Sequence, residues 1–259
     1  MERDSRTMIE LVQRLRASLR SDDFELHYQP ILDRKRRLAG AEALIRWRDP
    51  GAVGPSVFIP VTERSGLIIP LSNWVLDQAM TDQMRMREQG VEIGISINLS
   101  PRQLRTGHLY DQIVTRITAT HLPPALMRIE LTESSFATNI EIVSQTLRRL
   151  RSLGIGVSVD DFGTGYSNLS YLKHLPIDRI KIDRGFVAGI PSSPTDEALV
   201  QAIVSLAHTF GHAVVAEGVK TEEQFEYLKR IDVDYFQGYF FAMAMPLDEF
   251  VVAADRWQG

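Results

Sequence analysis

Apolar and polar positions change period along this chain, and the changes divide it into strands and helices. Residues 24–31 (FELHYQPI) alternate, which predicts a strand. Residues 38–47 (LAGAEALIRW) follow a basic turn at 33–37 and pair with it as a second strand, which Asp49-Pro50-Gly51 ends. From there the pattern alternates. Helices are predicted near 71–89, 109–120, 140–153, 169–175, 197–210, 221–231 and 247–257. Strands fall between them at 92–99, 127–131, 156–160, 179–183, 213–217 and 234–241. Thr221 opens a Thr-Glu-Glu-Gln capping pattern, and Gly154 and Gly211 close the helices before them. Ahead of all this, Met8, Ile9, Leu11, Val12, Leu15 and Leu19 lie on one helical stripe within residues 1–22.

Short apolar strands separated by helices mark βα units and a mostly parallel sheet. About eight strands over this length favour a closed barrel over an open doubly wound sheet. No Gly-x-Gly-x-x-Gly follows the first strand, which removes the dinucleotide-binding version. The initial hairpin breaks strict βα alternation. The fold expected is therefore α/β: a modified TIM-type (β/α)8 barrel with one antiparallel strand. Residues 1–22 are expected to form a connector helix, reaching from an upstream domain or capping the barrel, and 23–259 the barrel domain.

Composition narrows the chemistry. The 259 residues, 44% hydrophobic, suffice for one large core. Zero cysteines exclude disulfides, thiolate zinc sites and a cysteine nucleophile. No apolar run approaches 18 residues and no signal sequence is visible, so a soluble, cytoplasmic chain with no membrane segment is expected. The net charge of −4 argues against a DNA or RNA polymer as partner. A small phosphorylated ligand remains compatible, because bound metal reverses the local sign.

Barrels of this kind carry their chemistry at the C-terminal strand ends. Those ends supply Glu42, Asn98, Glu130, Asp160 with Asp161, Lys181, Glu217 and Gln237. Taken alone, Asp160-Asp161 reads as one acid capping the next helix and the other pointing to water, ahead of a metal site. Lys181 reads as an ammonium paired with Asp178 or Asp183, or as a group orienting a nucleophile. Together, the carboxylates repel strongly unless cations hold them ionised. Oxygen donors without Cys or His point to Mg2+ or Mn2+ rather than zinc. This set is large enough for two ions, an arrangement suited to in-line hydrolysis of phosphoesters. His208 and His212 straddle Gly211 and are read as ordinary residues. Asp161-Phe162-Gly163 lacks the glycine-rich and His-Arg-Asp loops of a kinase.

The segment AEALIRW, with Glu42-Ala43-Leu44, resembles the signature of EAL domains, the bacterial cyclic di-GMP phosphodiesterases. The resemblance runs from about Phe24 to Trp257 through YQPI, FIPVTERSGLI, SINLSPRQL, IELTES, DDFGTGYSNLSYLKHLPIDRIKID, AEGV and QGYFF. It implies hydrolysis of cyclic di-GMP to linear pGpG with two Mg2+ or Mn2+ ions, and a homodimer with an upstream sensory or signalling domain. It further implies that Glu42, Asn98, Glu130 and Asp160 hold one ion, and that Asp160 bridges to a second, bound also by Asp161. Glu217 and Gln237 match positions that hold metal-bound water or complete the surrounding shell, and Lys181 the contact to the attacking water. Gln29 and Arg46 match substrate contacts, Arg46 through its fork of donors, and Glu133 matches a residue pinning the loop after Asp161. The chain departs from the family in two places. Lys220 stands where an acid is usual, and FFAMAMP follows QGY. Lys220 is expected to point away from the ions and to pair with Glu222 or Glu223. The rival reading is a catalytically silent cyclic di-GMP receptor on the same fold.

Overall fold

The computed structural model describes residues 2–21, 23–49, 51, 53–136, 140–163 and 175–257. The first hairpin sets the architecture. β1 (Phe24–Asp33) runs antiparallel to β2 (Leu38–Trp47) in register from Phe24↔Trp47 to Gln29↔Glu42 and beyond. β3 (Ile95–Asn98), β4 (Met127–Thr132), β5 (Gly156–Phe162), β6 (Arg179–Ile182), β7 (Ala213–Ala216) and β8 (Tyr235–Phe236) then add in parallel, each beside the last. β8 returns to β1, pairing antiparallel at Leu32↔Phe236, and this closes the barrel. β1 is thus the antiparallel strand expected from the hairpin. A two-residue ninth strand, β9 (Met245–Pro246), pairs with the other part of β1 at His27 and Tyr28.

The helices α2 (Pro55–Ser65), α3 (Ile68–Glu88), α4 (Pro101–Leu104), α5 (Leu109–Thr120) and α6 (Ile140–Ser152) precede β5. α7 (Arg184–Ala188), α8 (Pro194–Thr209), α9 (Glu222–Arg230) and α10 (Leu247–Ala254) follow it. Val157, Val159, Ile180, Ile182, Val214 and Ala216 turn outward from the strands into one continuous core with Val200, Val204 and Leu228 of the helices. The capping pattern forms as read: Thr221 and Gln224 satisfy each other's backbone at the start of α9. Among the described residues no helix is long and apolar enough to cross a membrane.

Three elements differ from the sequence reading, and a fourth lies beyond what the structure describes. α2 was not expected: the sequence reading placed no element between Gly51 and Leu71. Pro55 occupies the first turn, where its missing N–H costs nothing. The strand expected over 234–241 stops at Phe236, and the chain turns at Gly238. A Cβ there would lie 2.1 Å from the Val219 carbonyl oxygen, so only glycine allows this approach. Ile9 does not join the stripe of the first helix but is 59% exposed. The helix expected over 169–175 lies outside the described residues.

α1 (Glu2–Ser18) packs through Met8, Leu11, Val12 and Leu15 onto a second cluster with Phe24, Trp47, Phe58 and Leu67. Arg14 donates to Asp49 Oδ2 from Nε at 2.8 Å and from Nη2 at 2.5 Å, with its guanidinium 5.1 Å from the Trp47 ring centroid. Trp47 Nε1 donates to Ser18 Oγ at 2.9 Å. Phe58 is fully buried at the centre of this cluster, in edge contact with Trp47. Phe58→Ala is expected to cost about 3–5 kcal/mol in urea unfolding, whereas Ile9→Ala should change stability by less than about 0.5 kcal/mol. Equal effects at the two positions would contradict this docking of α1.

Candidate metal-binding active site

Side chains alternate across each strand, so the inward-facing residue at each C-terminal end reaches the barrel mouth. Glu42 of β2, Asn98 of β3, Glu130 of β4, Asp160 of β5, Lys181 of β6, Glu217 after β7 and Gln237 after β8 meet there. Asp161 would normally face the opposite way from Asp160. The β5–β6 register slips between Val159 and Phe162, leaving an extra residue on β5. Asp161 takes a left-handed conformation, φ +52°, which an aspartate tolerates. Its amide donates to Asp160 Oδ1 at 2.9 Å. The bulge turns both carboxylates to one side, and no periodicity in the sequence signals it.

Lys181 stands at the centre, 1% exposed. Its Nζ lies 2.5 Å from Glu130 Oε2, 2.6 Å from Glu217 Oε1, 3.2 Å from Glu42 Oε2 and 3.5 Å from Asp160 Oδ1. Neither Asp178 nor Asp183 is its partner. Asp178 accepts instead from Arg151 and from the Val157 amide, and Asp183 caps α7. Burial opposes the charge on Lys181, but the surrounding carboxylates outweigh it and hold its pKa well above the ordinary value. The ammonium therefore keeps its proton.

One ammonium cannot satisfy four carboxylates, and the amides decide which acids stay ionised. Glu42 accepts from Asn98 Nδ2 at 2.7 Å and from Gln237 Nε2 at 2.7 Å. Burial pushes Glu42 up, but Lys181 and these two donors bring its pKa below the ordinary value. Among the described residues no side-chain amide donates to Glu130, whose side chain accepts from Lys181. Burial raises it to about 7, against Lys181 and with the help of Glu42 and Asp160. Glu217 is raised well above the carboxylate range by burial, against Lys181, with Asp160 and Glu42 adding to the rise. Asp161 is raised by burial, then by Asp160 and Asp183.

The donor set fits hard divalent cations. Oxygen atoms of Glu42, Glu130 and Asp160 lie within 4.8 Å of one another, as do those of Asp160, Asp161 and Glu217. The two triads share Asp160. Gln237 Oε1 is buried beside them and has no hydrogen-bond partner among the described residues, which leaves it a free acceptor. Gln237 Nε2 also donates to Gln29 Oε1 at 3.0 Å, and Gln29 Nε2 donates to the Ala242 carbonyl at 3.1 Å. Glu133, just past the C-terminal end of β4, accepts from the Gly163 amide at 3.2 Å and so touches the chain just after Asp161.

Two cavities meet over this cluster, sharing Leu44, Arg46, Asp160 and Asp161. One, of about 500 Å3, is walled by Ile59, Ile68, Leu71 and Val75, with Glu63, Asn98 and Ser100 among its polar groups. Ser100 Oγ donates to Glu63 Oε1 at 2.9 Å. The other, of about 760 Å3, runs past Glu217 to Arg184, Lys220, Tyr239 and Met243. Arg46 lies between the two, and its partial burial pulls its pKa down. The sequence reading singled out neither Glu63 nor Arg184, Tyr239 and Met243, because no strand-end rule points at residues on helix α2, on α7 or in the turn after β8. Lys220 departs from expectation: Glu222 pairs with Arg36, and no carboxylate of the described residues lies within 4.0 Å of Lys220, whose side chain lines the cavity.

The raised Glu130 makes a pH prediction. A carboxyl with a pKa near 7 in the fold and 4.5 when unfolded binds its proton more tightly in the fold. It therefore penalises the metal-free fold above pH 7, and the penalty fades as pH falls toward 4.5. In chelator, the parent protein should gain stability relative to Glu130→Gln between about pH 8 and about pH 5.5. Mg2+ or Mn2+ added at the higher pH should raise the parent's Tm by mass action. Parallel Tm–pH curves for the two proteins, with no metal response, would contradict the geometry.

The EAL domain family model matches residues 12–244. The chain is 39% identical over 243 residues to the cyclic di-GMP phosphodiesterase NbdA of Pseudomonas aeruginosa, covering 92% of this chain and 31% of that protein. It thus spans about a third of that relative's length. Among solved structures it is similar to the PaMucR phosphodiesterase in complex with c-di-GMP, with TM-score 0.88, 38% identity, and coverage of 93% of this chain and 99% of that one. It is also similar to the EAL enzyme Bd1971 in its cAMP- and cyclic-di-GMP-bound form, with TM-score 0.92, 33% identity, and coverage of 97% and 70%. With the barrel, the strand-end acids and these likenesses together, the chain belongs to the EAL domain family.

Proposed function

We propose that this chain is a metal-dependent phosphodiesterase that opens cyclic di-GMP to linear pGpG. The observation that carries the reading is the pair of oxygen triads sharing Asp160, set where two cavities meet. Two lobes flanking one acidic centre suit a ligand with two bases and a phosphodiester between them. The relatives named cyclic di-GMP phosphodiesterase, and the solved complex with c-di-GMP, support the same ligand.

Glu42, Asn98, Glu130 and Asp160 would hold one ion, and Asp160 with Asp161 the other, with Glu217 and Gln237 completing the set around them. Mg2+ or Mn2+ there supplies charge neutralisation at the phosphoryl group and an acidified water. In the reaction the water oxygen bonds to phosphorus and gives up a proton, the P–O3′ bond breaks, and the leaving 3′ oxygen takes up one proton, so that water's two hydrogens end on product oxygens and solvent. Lys181 donates hydrogen bonds at this centre without losing its own proton, so it orients the attacking water rather than deprotonating it. Arg46, between the lobes, presents a fork of donors to a phosphate. Gln29, held by Gln237 and the Ala242 carbonyl, is placed for a substrate contact. Glu133 is a positioning residue, acting through the Gly163 amide. α1 as the connector of a sensory domain upstream, and a homodimer, belong to the same proposal.

Purified protein incubated with cyclic di-GMP and Mg2+ or Mn2+ should yield pGpG. Asp160→Asn should lower turnover at least about a thousandfold while the fold survives, the scale of losing a group that acts only on the transition state. Tight binding of cyclic di-GMP with no pGpG at saturating metal would make the chain a receptor and end the enzymatic reading. Glu133→Gln should weaken turnover less, about 10- to 100-fold, with faster hydrogen exchange at Gly163. Unchanged exchange together with full activity would leave Glu133 without a positioning role.

A further inference from the structure

Below the acid layer the barrel interior turns basic, and the proposed reaction uses none of that lower layer. Arg128 lies two residues before Glu130 on β4, Ser158 two before Asp160 on β5, and Arg179 two before Lys181 on β6. Alternation therefore points all three inward, one step nearer the N-terminal strand ends. The three strands adjoin, and Ser158 stands opposite Arg179 in the β5–β6 register.

The Arg128 guanidinium is set into this layer by a missing side chain. Arg128 stands opposite Gly156, where a Cβ would lie 2.6 Å from its Cζ, so it fills the space that any other residue at 156 would occupy. Its Nη1 is buried without a hydrogen-bond partner, and among the described residues it is the only such nitrogen on a cationic side chain. Ser158, 1% exposed, likewise has its Oγ buried without a partner. Among the described residues Asp178 is the one acid within 4.0 Å of Arg128, with Oδ2 4.0 Å from Nη1. Both its oxygens are engaged, Oδ1 by Arg151 at 2.6 Å and Oδ2 by the Val157 amide at 2.8 Å. Arg179 adds a second cation, its guanidinium 4.0 Å from the Tyr235 ring centroid and close enough to repel Arg128.

A buried charged donor left unmade costs more than an ordinary lost hydrogen bond, and a neighbouring cation adds to the cost. A water relieves the first penalty, whereas an anion relieves both. We propose that Arg128 Nη1, Ser158 Oγ and Arg179 form a binding site for a small monovalent anion of the chloride class, at the floor of the barrel under the acid layer. The carboxylates of Glu130 and Asp160, one step above, set the charge and size of the ligand. They repel a dianion such as sulfate about twice as strongly, and its further oxygens need donors that these three groups do not supply. Arg128 and Arg179 are partly exposed at the N-terminal end of the barrel, which gives the ion its route in. The bound anion ties β4, β5 and β6 together directly beneath the mouth. The site does not depend on the phosphodiesterase reading.

Thermal unfolding in chelator tests it, with sodium chloride exchanged for sodium gluconate at constant ionic strength so that screening stays the same. The parent's Tm should rise with chloride and saturate, by about 2–4 °C at about ten times the half-saturating concentration. Ser158→Ala should need about 3- to 10-fold more chloride. Arg128→Met should lose the response, while Lys35→Met, at an exposed cation, should keep it. In crystals of the parent, bromide in place of chloride should give an anomalous peak within about 3.5 Å of Arg128 Nη1 and Ser158 Oγ. That peak and the Ser158→Ala titration decide the matter if Arg128→Met does not fold. Equal Tm in chloride and gluconate overturns the site, as does a full response in Arg128→Met. A bromide peak with no Tm response in solution marks an adventitious ion only and counts against the site. Density between the two groups without anomalous signal assigns the place to water and overturns the anion.

Discussion

A single buried ammonium surrounded by four carboxylates is the constraint on which this site depends. Lys181 lies within 3.5 Å of oxygens of Glu42, Glu130, Asp160 and Glu217. Each of those acids sits on or just past the end of a different strand, so barrel closure is what brings them within reach of one nitrogen. The negative charge that remains is costly in a buried setting. Asn98 and Gln237 offset it at Glu42, while Glu130 and Glu217 stay hard to ionise. Divalent cations relieve the same imbalance, which couples metal binding to the stability of the barrel mouth.

Closure itself is achieved by an irregular strand. β1 runs against the direction of both its neighbours and pairs with β2 over its whole length, but with β8 only at Leu32 and Asp33. β9 pairs with β1 at His27 and Tyr28. The antiparallel pairing places Gln29 opposite Glu42, and so puts an amide-bearing side chain at the mouth from a strand whose C-terminal end points the other way. Gln29, Gln237 and Glu42 then form one hydrogen-bonded chain. The smaller cavity is set by a different layer: α2 and α3 wall it, and the cluster beneath them is closed by α1 through Trp47, the residue after Arg46.

Much of this was legible in the sequence. The alternation of short apolar strands with helices predicts the barrel, and the polar residues interrupting the strand ends name the residues that converge. What stayed hidden follows from geometry that has no period. The β5 bulge, which brings Asp161 beside Asp160, needs a left-handed residue that carries no glycine mark. The burial of Lys181 among four acids, rather than pairing with Asp178 or Asp183, depends on distances across the barrel. The truncation of β8 depends on the contact between Gly238 and Val219, two loops apart. Lys220 read as a solvated lysine paired within its own helix start; its place on the cavity wall comes from how the loop after β7 folds onto α7.

The central claim is that the strand-end acids form two cation sites that share Asp160. Crystals soaked in Mn2+ and measured at the manganese absorption edge test it directly. The account predicts two anomalous peaks about 3.5–4 Å apart at the barrel mouth, both within coordination distance of Asp160. One peak lies toward Glu42 and Glu130, the other toward Asp161. Mn2+ bound elsewhere, or a mouth that stays free of manganese with Lys181 still bonded to all four acids, would contradict it.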